Sequence, residues 1–125
     1  MDELTVYQLL NKKFGNSFRY HEKFIQELSE AISNSGEKNK LVIKLIQKLS
    51  AIQNLDNIDF GLPWLEHLKE YDNMYSLHIN VQTGNYRLLF TRERNGKYFL
   101  RMFDEKSGKK QTGYARNVKI ALERK

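Results

Sequence analysis

Residues 74–91 read MYSLHINVQTGNYRLLFT, and this stretch decides the fold class. Tyr75, Leu77, Ile79 and Val81 alternate with Met74, Ser76, His78 and Asn80, the period-two pattern of a strand buried on one side. Thr83-Gly84-Asn85 supplies a turn, and Tyr86, Leu88 and Phe90 then alternate with Arg87, Leu89 and Thr91. A third strand is expected at about 97–103, after Asn95-Gly96, a hairpin dipeptide in which both residues tolerate positive φ. With Tyr75, Leu77 and Ile79, then Tyr86, Leu88 and Phe90, then Tyr98, Leu100 and Met102 on the core face, alternation places His78, Arg87 and Arg101 on the other. A slip of one residue in the second or third strand would bury an arginine, so the register is well specified.

Upstream the apolar period lengthens to that of helices. Residues 20–34 carry Phe24, Ile25, Leu28 and Ile32 on one helical face, Ser35-Gly36 breaks it, and residues 37–53 repeat the pattern with Leu41, Leu45, Ile46, Leu49 and Ile52. So short a connection predicts an antiparallel helical hairpin. Residues 1–17 are weakly patterned, with Leu4, Tyr7, Leu9 and Leu10 suggesting a short helix that ends near Gly15. Residues 54–73 read as a connector pinned to the core by Trp64, Leu65 and Leu68. Downstream, residues 107–110 suggest a turn, and Thr112 is placed to cap a last helix with Val118, Ala121 and Leu122 inward. The expected architecture is α+β: an N-terminal helical hairpin packed on one face of a small antiparallel sheet, with a short C-terminal helix.

Charge is distributed unevenly over these two halves. Residues 74–125 hold 12 Lys and Arg against 4 Asp and Glu, whereas residues 1–73 hold 9 against 11. A basic sheet beside a nearly neutral helical half points to a polyanion, nucleic acid first, with a merely solvated basic surface as the bland alternative. The 125 residues suit one domain, and with no cysteine the chain has neither disulfides nor thiol chemistry. His21, His67 and His78 lack metal-ligand spacing, so no metal or other cofactor is expected. The acidic start Met1-Asp2-Glu3-Leu4 lacks a secretory pattern and no apolar run approaches a membrane span, which gives a cytoplasmic protein as the expectation.

The order of helices, meander and terminal helix resembles the RelE/ParE superfamily of bacterial toxins, and the local sequences resemble its HigB-like, phage-derived branch. That branch commonly reads L-Y-E-L-R-I, Y-R-[IV]-L-[YF], L-H-x-F-x-K-K and then a helix with A-x-x-R. The counterparts here begin at Met74, Tyr86, Leu100 and Ala121, in that order, within residues 20–125. Departures fall on charged positions. The family's strand arginine is His78, its acidic residue is Ser76, one of its paired lysines is Glu105, and its proline before the last helix is absent, with Tyr114 near its place. Residues 1–19 have no counterpart and form an extension of unclear role.

The resemblance implies the toxin of a type II toxin–antitoxin system that cuts mRNA in the ribosome by attack of a ribose 2′-OH on the adjacent phosphate, without metal. Such a reaction needs a proton acceptor, charge stabilisation at phosphorus and a donor to the leaving oxygen. Arg87, at the arginine of the family's Y-R motif, is the first candidate for phosphate; the alternative is an ion pair with Glu93 or Asp104. Arg101 is expected near it across the sheet. His78 has the chemistry of an acid or base, or of plain strand surface. Tyr114 suits base stacking or proton relay, or else packing at the helix start. Arg92, Lys106, Lys109 and Lys110 are the candidates for RNA phosphates, and surface lysines are the alternative for the last three. A cognate antitoxin, often a helix-turn-helix protein in this branch, is the implied protein partner, with the ribosome and mRNA as targets and no membrane. Two other functions stay open: a ParE-like inhibitor of DNA gyrase, and a non-catalytic basic module that binds nucleic acid or a partner.

Overall fold

The computed structural model describes residues 1–54, 61–71, 73–94, 96–105 and 110–125, the side chains of 110–112 excepted. Four helices and a five-stranded mixed sheet make an α+β fold. In chain order these are α1 (Glu3–Phe14), β1 (Phe18–Tyr20), α2 (Glu22–Asn34), α3 (Lys38–Ile52), β2 (Leu65–His67), β3 (Met74–Val81), β4 (Gly84–Glu93), β5 (Gly96–Asp104) and α4 (Lys110–Arg124).

Local chemistry sets the helix ends. Asp2 Oδ1 accepts from the Thr5 N–H at 2.8 Å at the start of α1, and Gly15, at φ 53°, closes it. His21 Nδ1 accepts from the Lys23 N–H at 3.0 Å and caps α2. The start of α4 is different from the sequence expectation: the helix begins at Lys110, so Thr112 lies inside it and not at its cap. The turn expected at 107–110 otherwise falls outside the described residues.

The sheet order is β1-β5-β4-β3-β2. The meander β3-β4-β5 is antiparallel as the alternation predicts, and two three-residue strands extend it. β2 pairs antiparallel with β3 and β1 pairs parallel with β5. Both were invisible to periodicity because three residues carry no period. Phe18 and Tyr20 therefore belong to a strand, and α2 starts only at Glu22. Asn95 lies outside the described residues, and Gly96 is not at positive φ. Gly96 is needed for a different reason: a Cβ there would stand 2.6 Å from the Ser17 carbonyl oxygen, where the chain entering β1 crosses the hairpin.

The third strand departs from simple alternation. Leu89 opposes Arg101 and Phe90 opposes Phe99, which leaves Leu100 as a β-bulge. The extra residue shifts the parity of β5. Phe99 and Met102 join the core under α1–α3, while Tyr98 and Leu100, both expected there, pack on the opposite face.

The main core lies between the sheet and α1–α3. It joins Val6, Leu10 and Phe14 of α1 to Phe24, Leu28, Leu45 and Leu49 and to the inward residues of β3 and β4. Burying each such side chain contributes roughly 1.5–3 kcal/mol before chain entropy is counted. Residues 1–19 are thus tied into the same core through α1 and Phe18. The arginine-bearing face is not open as expected. α4 lies across it and buries Met74, Leu89, Leu100, Val118 and Ala121 in a second, smaller cluster. Leu122, expected inward, is exposed. No helix among the described residues is long and apolar enough to cross a membrane.

Candidate active site and nucleic-acid interface

β3, β4 and α4 bring four of the singled-out side chains together. His78 and Arg87 face one another across β3 and β4, and Ser76 precedes His78 by one strand period on the same face. Tyr114, one turn into α4, lays its hydroxyl over both: its Oη is 2.7 Å from Ser76 Oγ and 3.3 Å from His78 Nε2. Ser76 is completely buried beneath it. Burial pushes the Tyr114 phenol up to about 12, against the hydrogen bond with Ser76, while Glu66 and Glu105 raise it further and Arg87 lowers it, each by a smaller effect. Tyr114 therefore remains a proton donor at neutral pH. The Phe103 ring meets the Tyr114 ring edge-on at 5.3 Å between centroids, which fixes the phenol's orientation.

Arg87 has neither of the ion pairs the sequence suggested. Glu93 is taken by Arg19, and Asp104 Oδ1 accepts from the Asn85 N–H at 3.0 Å. Its partner is Glu105, with Arg87 Nε donating to Glu105 Oε2 at 2.7 Å and both side chains nearly enclosed. Arg87 Nη1 also donates to Asn80 Oδ1 at 2.9 Å and to the Tyr86 carbonyl at 3.0 Å. The guanidinium is therefore held firmly in place by a carboxylate, a side-chain amide and a backbone carbonyl.

Arg101 lies diagonally across from Arg87 on the same face, since Arg87 opposes Phe103 and Arg101 opposes Leu89, but its guanidinium is engaged elsewhere. Arg101 Nη1 donates to Glu27 of α2, and its Nε to Asn117 Oδ1 at 2.7 Å. Glu27 also accepts from Arg124 at 2.8 Å and from the Met102 N–H at 3.0 Å. This carboxylate covers the edge of β5 past the end of β1 and ties α2, β5 and α4 together. Arg101 thus serves the fold. A cleft of about 980 Å³ opens beside it, and its lining of Glu27, Glu30, Asp104 and Glu105 with Arg101 and Arg116 is too mixed in charge for a polyanion.

Arg92 is five residues from Arg87 along β4, about 17 Å at strand rise, and on the opposite face by alternation. It belongs to no common site with Arg87. Lys106, Lys109 and the side chain of Lys110 lie outside the described residues.

Two residues escaped the sequence reading. Lys44 and Lys48 of α3 donate their ammonium groups to the carbonyls of Asn80 at 2.7 Å and His78 at 2.6 Å. On the sequence they look like the solvated side of an amphipathic helix. Their spacing of four is the only hint that one helical face could address alternate carbonyls of a strand. The described residues contain no cluster of three or more His, Cys, Asp or Glu able to hold a metal.

No known family model, curated protein or solved structure matches the chain.

Proposed function

We propose that this protein is a RelE/HigB-like toxin of a type II toxin–antitoxin system that cuts mRNA on the ribosome, working in the cytoplasm. The observation that carries this reading is the Tyr114 hydroxyl held between Ser76 and His78, beside the strand arginine Arg87. His78 Nε2 accepts the proton of the attacking 2′-OH, Arg87 stabilises the charge that develops at phosphorus, and Tyr114 donates to the leaving 5′-oxygen. The bound phosphate takes the place of the Glu105 carboxylate on Arg87. The ribosome supplies the alignment of the 2′-OH with its phosphate, and orientation of this kind accounts for much of the rate of such reactions. A cognate antitoxin is the protein partner this reading requires.

The test is translation in vitro of a defined mRNA with 5′-end mapping, with and without ribosomes. Cleavage that needs ribosomes and is lost in His78→Ala, Tyr114→Phe and Arg87→Ala is the expected result. A second reading, a non-catalytic basic binding module, draws on one observation: Arg87 and Arg101 are both already held by carboxylates, Glu105 and Glu27. Intact mRNA in both conditions selects it.

A further inference from the structure

We propose that the edge of β3 beyond its pairing with β2 is a phosphate-binding rim for single-stranded RNA, with Lys44, Lys48 and Arg87 as its contacts; it rests on RNA being the target. β2 covers β3 only from Tyr75 to Leu77. Beyond it the His78 N–H reaches the Trp64 carbonyl at 2.7 Å, and the carbonyls of His78 and Asn80 take the two lysines of α3. Four residues of helix rise about 6 Å and two residues of strand about 6.6 Å, so the two periods match over this one step.

Edge lysines alone are a common guard against strand pairing. The rim holds more than that. Arg87 arrives from the other face of the sheet and donates to the Asn80 side chain, whose own carbonyl takes Lys44. Three cations from α3 and β4 therefore converge on two residues of one strand. Glu105 balances Arg87, while among the described residues neither Lys44 nor Lys48 has a carboxylate within ion-pair distance. Each ammonium carries three donors and uses one on the sheet, leaving donors for phosphate oxygens. The Lys48 ammonium is held below its ordinary value, by burial first and then by Lys44 and Arg87, a crowding of charge that an arriving phosphate relieves. The indole of Trp64 lies 5.4 Å from Lys48 Nζ and offers an aromatic surface beside the rim.

The experiment titrates the protein with a fluorescein-labelled 12-nucleotide 2′-O-methyl oligouridine over a range of salt. Trp64 is the chain's one tryptophan, so its emission gives a second, local readout in the same titration with unlabelled oligonucleotide. In Lys44→Gln/Lys48→Gln the slope of log K against log salt should fall by about 1.4, two single-strand phosphate contacts, with Trp64 quenching lost. Lys44→Gln alone, which leaves Lys48 on the strand edge, should lose about half of that slope, and it decides the matter if circular dichroism finds the double variant unfolded. Lys44→Arg/Lys48→Arg should bind like the parent. Unchanged binding in the glutamine variants overturns the proposal. So does an equal loss in Lys12→Gln/Lys13→Gln on distant α1, which would mean binding by overall charge. Displacement by poly-glutamate of equal charge as effectively as by RNA overturns it too. The probe lacks a 2′-OH and cannot be cut, so lysine-dependent binding with intact mRNA on ribosomes sinks the nuclease and keeps the rim. Ribosome-dependent cleavage without lysine-dependent binding does the reverse.

Discussion

The two faces of this sheet are built for different ends. Against α1–α3 the sheet presents Tyr75, Leu77, Ile79, Leu88, Phe90 and Phe99, nearly all fully buried and in contact with three helices. Against α4 it presents Met74, Leu89 and Leu100, packed on Val118 and Ala121 of the helix, and, next to them, Ser76, His78, Arg87 and Arg101 bonded to Tyr114, Glu105, Asn117 and Glu27. The first face supplies the stability that allows the second to hold polar groups in fixed positions. Such groups are costly to bury unless each finds a partner, and here the partners come from α2, from α4 and from the residue just past β5.

The largest effect should come from the apolar face. Phe99→Ala removes a fully buried ring that touches Phe18, Tyr20, Phe24 and Phe90. It should cost about 3–5 kcal/mol, read as a fall in the urea midpoint at unchanged slope. A loss below 1 kcal/mol would mean the two faces do not divide the labour as described. Next comes the junction between them. Glu27→Gln leaves Arg101 and Arg124 without their shared carboxylate, and should cost about 3 kcal/mol because all three groups are largely enclosed.

On the polar face the balance reverses. Tyr114→Phe removes one hydroxyl bonded to Ser76 and His78 and should cost only about 1 kcal/mol of stability while abolishing ribosome-dependent cleavage. Loss of stability matching Phe99→Ala would make Tyr114 a packing residue. The smallest effect belongs to His21. Its imidazole is held below its ordinary value, by burial first and then by Arg124 and Lys23, and its Nδ1 must be unprotonated to cap α2. The folded state thus favours the neutral form. That stability is present above about pH 6.5 and is lost as pH falls through the depressed folded value. His21→Asn keeps a capping acceptor without the proton, so its melting temperature should change less between about pH 7.5 and pH 5. Equal pH dependence in the two proteins would remove His21 from this role.

Much of the candidate site was legible because strand alternation is a local rule. Ser76, His78 and Arg87 could be placed on one face from residues 74–91 alone, and the structure puts them there. Arg101 was legible only in part. Alternation put it on that same face, but the carboxylate of Glu27, 74 residues away, decides where its guanidinium goes. Lys44 and Lys48 were invisible for the converse reason. Nothing about a lysine on a helix says that a strand edge lies beneath it.

The sequence by itself determined the helices α2 and α3, the meander, its register through β3 and β4, and the α+β class, because each depends on periods of two or 3.6 within a single segment. Tertiary structure alone decided the rest: that α4 covers the arginine face, that β1 and β2 complete the sheet, that Glu105 pairs with Arg87, and that α3 guards the edge of β3. These are encounters between segments far apart in the chain. Which charge meets which carbonyl is settled only when the apolar faces have packed and brought their polar rims within hydrogen-bonding distance.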